Sequence, residues 1–119
     1  MAVTIIADTL THSTAGSVTT DYVVNGSAKA WARSGSAAIN ESLNTSGFTD
    51  NGTGDFTIAF SSAFSTNTFA GTTAGLGTAA RSVNYSNSQT TSIDLDTFAS
   101  TSGSRTDTAT GFQINGDLA

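Results

Sequence analysis

Cysteine and proline are both missing from this chain of 119 residues. Without cysteine there is no disulfide framework and no thiolate metal site. Without proline and disulfides, two ordinary ways of stiffening a small chain are gone. Positive charge is scarce as well: Lys+Arg is 4 against Asp+Glu 9, a formal net charge of -5. That excludes a polybasic nucleic-acid footprint. Charged residues make up 11% of the chain, where an ordinary domain carries about 25%. His12 is the sole histidine. With no cysteine and no second histidine, a transition-metal site lacks its ligands, so His12 reads as a solvated side chain. Apolar runs are only a few residues long, too short to span a membrane. Met1 to Asp8 has neither the positive start nor the long apolar run of a secretory signal. Synthesis in a cytoplasm and delivery by assembly are expected.

Ser, Thr, Asn and Gly fill the space that charge leaves. A surface of hydroxyls and amides keeps monomers apart less well than charge does. It suits extracellular or particle-bound proteins that make many neutral hydrogen bonds. The size, 12.0 kDa, is that of one domain with at most a short extension.

The stretch Gly47 to Phe60, GFTDNGTGDFTIAF, organises the rest. Phe56, Ile58 and Phe60 alternate with Thr57 and Ala59, the period of a strand with one buried face. Asp50 to Asp55 is a dense run of turn formers, and Asn51-Gly52 is a strong hairpin signal. Ile39 to Thr49 supplies the other strand. The turn is expected to be exposed and the Phe/Ile face covered.

Taken in order, Val3 to Asp8 reads as a short β-branched strand. Thr11 to Thr20 is rich in Ser and Thr, with a turn at Ala15-Gly16, and Tyr22-Val23-Val24 is a second short apolar run. These pieces cannot bury themselves. They need the following domain, a copy of the chain or a larger assembly; the alternative is a flexible N-terminal arm. Residues 1–24 are therefore expected to form an attachment or oligomerisation segment, with Val3, Ile5, Ile6, Leu10, Tyr22 and Val23 as its contacts. Residues 25–119 form the domain.

Ala28 to Arg33 reads as a strand with Ala28, Ala30 and Ala32 on one face and Lys29, Trp31 and Arg33 on the other. Trp31 is the single tryptophan and reads as a core or interface anchor, with Lys29 and Arg33 placed to flank it by cation–π contact. Phe64 and Phe69 cap the core from a connection. Further strands are expected from Phe69 to Leu76, Arg81 to Tyr85, Ser92 to Phe98 and Gly111 to Asn115, with a polar loop from Ser100 to Thr110. No segment shows a helical stripe. Short strands at even spacing indicate an all-β fold, a small antiparallel sandwich of jelly-roll-like character.

No cluster states a reaction. Asp94 and Asp96 share one strand face, the spacing of a polar solvent face more often than of an acid/base pair. Asp50, Asn51 and Asp55 do not match an EF-hand loop and are explained as turn chemistry. Gly52-Thr53-Gly54 lacks the lysine and helix of a phosphate loop, and no G-x-S-x-G elbow occurs. Neither catalysis, a cofactor nor a metal is expected.

Two strings carry a family resemblance: VNGSAKAW, Val24 to Trp31, and AINESLNTSGFTDNGTGDFTIAF, Ala38 to Phe60. They resemble a domain of tail-fibre and other virion structural proteins of tailed bacteriophages, especially marine ones. Ala7 to Gly16 is similar to the leader segments that begin such fibres. Arg33-Ser34-Gly35 departs from the family, which carries an aromatic residue two positions after the Ala-Trp pair. The close match covers about a third of the chain. It implies a homotrimeric β-structured appendage on the virion surface, with another virion protein of the tail, collar or capsid as partner and a host cell-surface glycan as possible target. It brings no catalytic motif. Three expectations compete: a short trimeric fibre or spike for host adsorption, a head decoration protein that binds the capsid, and a carbohydrate-binding module. A chain of 119 residues has little room for a long shaft, which keeps head decoration close to the fibre reading.

Overall fold

A computed structural model describes residues 2–77 and 79–119. The chain opens with strands β1 (Thr9–His12) and β2 (Gly16–Thr19), then a short helix α1 (Thr20–Gly26). Next come β3 (Ala28–Ser34), β4 (Ile39–Leu43), β5 (Thr45–Gly52) and β6 (Asp55–Phe60). The last four strands are β7 (Ala70–Leu76), β8 (Arg81–Gln89), β9 (Ser92–Ala99) and β10 (Ala109–Asn115). Strands β3 to β10 form two four-stranded sheets, ordered β4-β3-β10-β7 and β5-β6-β9-β8. Every pairing is antiparallel, and the sheets pack face to face. The expected all-β sandwich is what the chain forms. Its first and last strands, β3 and β10, are neighbours.

Alternation builds the core. Ala30 and Ala32 of β3 and Phe112 and Ile114 of β10 point inward from one sheet. Phe56 and Ile58 of β6 and Ile93 and Leu95 of β9 meet them from the other. Phe60, Phe64 and Phe69 close one end, their ring centroids 4.8 to 6.0 Å apart in tilted and edge-on pairs. Phe64 and Phe69 reach this cluster from the connection between β6 and β7, where the sequence places them.

Four local expectations are corrected. Ile39 to Thr49 is not one strand: β4 lies in one sheet and β5 in the other. Asn44 makes the corner between them in a left-handed conformation, φ 55°, which Asn tolerates better than most residues. Its side chain locks the corner by accepting from Ser62 N at 2.6 Å and donating to Ser62 O at 3.1 Å. The hairpin turn sits at Thr53-Gly54, not Asn51-Gly52, because Gly52 pairs with Asp55 and Asn51 is the extra residue of a bulge. Asp50 Oδ1 accepts from Gly52 N at 2.9 Å and fixes that bulge. Val3 to Asp8 is no strand, since it has no neighbour to pair with; β1 begins at Thr9. Tyr22-Val23-Val24, expected as a strand-like piece of a β-strand attachment segment, lies in α1. A helix satisfies its backbone groups within itself, and Asp21 in its first turn suits the helix dipole.

Candidate functional site

Residues 2–26 stand apart from the sandwich. They contain no buried residue. β1 and β2 pair over four residues each. Thr20 N donates to Asp8 O at 2.9 Å and closes the base of that hairpin. At its tip, His12 Nδ1 accepts from Thr14 N at 3.2 Å and Ala15 N at 3.0 Å, so the one histidine braces a turn. α1 is seven residues long and has no side-chain cap. Its root is tied to the sandwich. Asn115 Nδ2 donates to Gly26 O at 2.7 Å, and Lys29 Nζ donates to Val24 O and to Ser27 Oγ. Structurally the arm therefore runs to Gly26, two residues beyond the boundary expected from the sequence.

Beyond that root the arm is surface. Val3, Ile5, Ile6 and Tyr22 are 83%, 85%, 92% and 74% exposed, and Leu10, Val18, Val23 and Val24 are exposed as well. The radius of gyration is 16.9 Å, against about 13.5 Å for a compact chain of this length. The molecule measures 51 × 30 × 27 Å, so it is elongated. A lone two-strand hairpin and a helix of two turns are each marginal in water. Five of the eight exposed apolar side chains lie on these pieces, and Val3, Ile5 and Ile6 lie on the stretch before β1. All six residues expected to make attachment contacts lie on this arm.

The outer face of the sheet β5-β6-β9-β8 is polar. Asp55 and Asp96 are direct cross-strand partners, an arrangement that repels. Arg105 answers both: Nη1 lies 3.1 Å from Asp55 Oδ2 and Nη2 lies 2.6 Å from Asp96 Oδ1. Its guanidinium also sits 5.6 Å from the Phe98 ring centroid. Asp94 accepts from Thr57 Oγ1 at 2.6 Å and from Asn87 Nδ2 at 2.9 Å. Asp96 accepts from Ser86 Oγ at 2.7 Å. These carboxylates bind strands and loop together. Among the described residues, no group of three or more His, Cys, Asp or Glu is placed to hold a metal ion. Asp50 and Asn51 serve the turn, Asn51 Nδ2 donating to Asp55 Oδ1 at 3.2 Å and to Thr57 Oγ1 at 2.8 Å. Sequence reasoning passed over Arg105. The available signal was a lone cation in a polar loop of a chain whose β9 carries two aspartates on one face.

The other outer face, on β4-β3-β10-β7, carries Trp31. Phe56, Ile58 and Phe60 are core residues as expected, but Trp31 points out of the sandwich beside its cross-strand partners Leu43 and Gln113. The alternation of β3 requires this, because Ala30 and Ala32 take the inward positions. The expected cation–π flanking of Trp31 is replaced. Lys29 turns to the root of α1, and the one such contact among the described residues is Arg105 with Phe98. No protein-family model, no curated protein and no solved structure matches this chain.

Proposed function

We propose that this chain is a non-enzymatic structural protein of a tailed-phage particle. In this reading it is a short, trimeric fibre or spike that attaches through residues 2–26 and holds the sandwich outward for host adsorption. The observation that carries the proposal is the arm: eight exposed apolar side chains on a segment with no buried residue, beside a sandwich that has its own core. Burying such side chains contributes roughly 25 cal/mol per Å² of apolar surface, and only a partner surface can supply that burial. The resemblance of Val24 to Trp31 and Ala38 to Phe60 to virion proteins supplies the kind of partner: another protein of the particle, on the tail, collar or capsid. A structural role suits the polar face, where the side chains of Asp55, Asp94 and Asp96 are engaged in holding strands and loop.

The test is to tag the chain after Ala119 and image labelled particles. Label at the tail or collar is the expected outcome. Label spread over the capsid face would replace the fibre reading with head decoration. A purified chain that binds a host glycan but never enters particles would replace it with a carbohydrate-binding module.

A further inference from the structure

We infer that the outer face of the sheet β4-β3-β10-β7, centred on Trp31, binds a neutral glycan chain. This rests on the reading of the sandwich as the part held outward for host adsorption, and it names the surface and the class of ligand.

The register of the sheet sets two rows across this face. Leu43, Trp31, Gln113 and Thr72 are successive cross-strand partners in one row. Glu41, Arg33, Gly111 and Ala74 are successive partners in the next. At about 4.8 Å between strands, each row is about 14 Å across. All of these residues are exposed except Gly111, which is half-buried.

Trp31 gives the face its platform. It is 37% exposed. An indole presents an electron-rich ring face and a donating N–H. The C–H groups of a sugar ring lie against such a face, which leaves the hydroxyls at the rim free to hydrogen bond. Beside Arg33, Gly111 and Ala74 are partners that carry no long side chain. The surface there is nearly flat, a shape that admits a linear chain of rings and does not enclose a small molecule.

The rim has the matching chemistry. Arg33 donates, Glu41 accepts, and Gln113 and Thr72 do both. A hydroxyl also donates and accepts, so each of these groups finds its complement on a sugar. A guanidinium and a carboxylate each engage two groups at once, which suits hydroxyls on neighbouring carbons. Arg33 and Glu41 are direct cross-strand partners. Yet they close no ion pair, and neither side chain is hydrogen-bonded among the described residues. Gln113 has only a long contact, 3.5 Å, to Asn115 Oδ1. The opposite outer face differs: its Arg105 and aspartates are engaged with one another and with neighbouring side chains. Lys29 is turned to the root of α1. The charge left around Trp31 is one cation facing one anion, which favours a neutral ligand over an acidic or a basic one.

The arm leaves this face open. Asn115 and Lys29 hold the root of α1 at the Ala28 end of β3. At about 3.3 Å per residue, Arg33 lies roughly 16 Å along the strand from Ala28. A chain attached through residues 2–26 therefore still presents the face.

The full-length chain is tested on an array of neutral and acidic hexasaccharides, and its hits are titrated in solution. Trp31 is the single tryptophan, so its fluorescence reports this face alone. The unmodified chain is expected to bind neutral members and to change its Trp31 emission as it does. Trp31→Ala should weaken binding about tenfold or more, with cooperative unfolding as the check on its fold. If that variant fails to fold, the exposed Glu41→Gln serves, and it should bind several-fold more weakly. Particles carrying the Trp31→Ala chain should hold it at the full-length level and adsorb less. No binding to any neutral member overturns the inference and leaves the attachment reading intact. A preference for acidic members overturns it too, as does binding that leaves Trp31 emission unchanged. A folded Trp31→Ala chain that is missing from particles would assign this face to a virion protein and overturn the glycan site.

Discussion

Replacing Gly54 with alanine isolates how tightly the β6 hairpin is bound to the loop that follows β9. Gly54 has φ 67°, a left-handed conformation that costs an L side chain about 1–2 kcal/mol. A Cβ there would lie 2.5 Å from Thr97 O, 2.8 Å from Thr106 N and 3.1 Å from Arg105 Cβ. Two of those atoms are backbone, so no side-chain rotation relieves the clash. The turn and the 104–107 stretch must separate. That separation strains the bond from Thr97 N to Gly54 O at 2.9 Å and the bond from Gly54 N to Asp107 Oδ1 at 2.7 Å. Each contributes about 0.5–1.5 kcal/mol, more where a carboxylate accepts. Together the effects should destabilise the domain by about 3–5 kcal/mol, a large share of an ordinary 5–15 kcal/mol. Gly103→Ala is the control: its φ is 69° and a Cβ there meets nothing within 4 Å. It should cost only the conformational part, about 1–2 kcal/mol. Urea unfolding of both variants reads the difference directly. Equal midpoints for the two would refute the close approach between turn and loop.

Phe56→Ala should destabilise by about 3–5 kcal/mol, because Phe56 is buried in the core against the Phe48 ring at 5.1 Å; urea midpoints check it, and a loss under about 1 kcal/mol would mean the core is misplaced. Arg105→Gln should cost about 1 kcal/mol, since its ion pairs are partly exposed. The loss also leaves Asp55 opposite Asp96, so the variant should regain part of its stability as salt screens that repulsion; a salt-independent loss would remove the electrostatic account.

How much of this was legible depends on how local each signal is. Phe56-Ile58-Phe60, Ile93-Leu95-Thr97 and the alanines of β3 each show period 2 within a few residues, and each set points inward. The corner at Asn44 was hidden because a single left-handed residue sends the chain to the other sheet without interrupting the polar-apolar pattern. The turn slipped by two residues because DNGTGD offers two glycine turns. The Asp50 bulge and the Asp107 bond to Gly54 select the second, and Asp107 is remote in sequence. Trp31 read as a core or interface anchor, and only the inward placing of Ala30 and Ala32 shows that it points outward. Val3 to Ile6 have the composition of a strand, but a strand exists only with a neighbour, and this one has none. The Arg105 clamp joins residues far apart in the chain, and no local pattern reports such a pairing.

The central claim is that residues 2–26 attach while the sandwich folds without them. The most direct measurement is particle incorporation of a chain lacking residues 2–26, beside the full-length chain. The account predicts that the shortened protein keeps its cooperative unfolding transition and is absent from purified particles. Incorporation at the full-length level would contradict it.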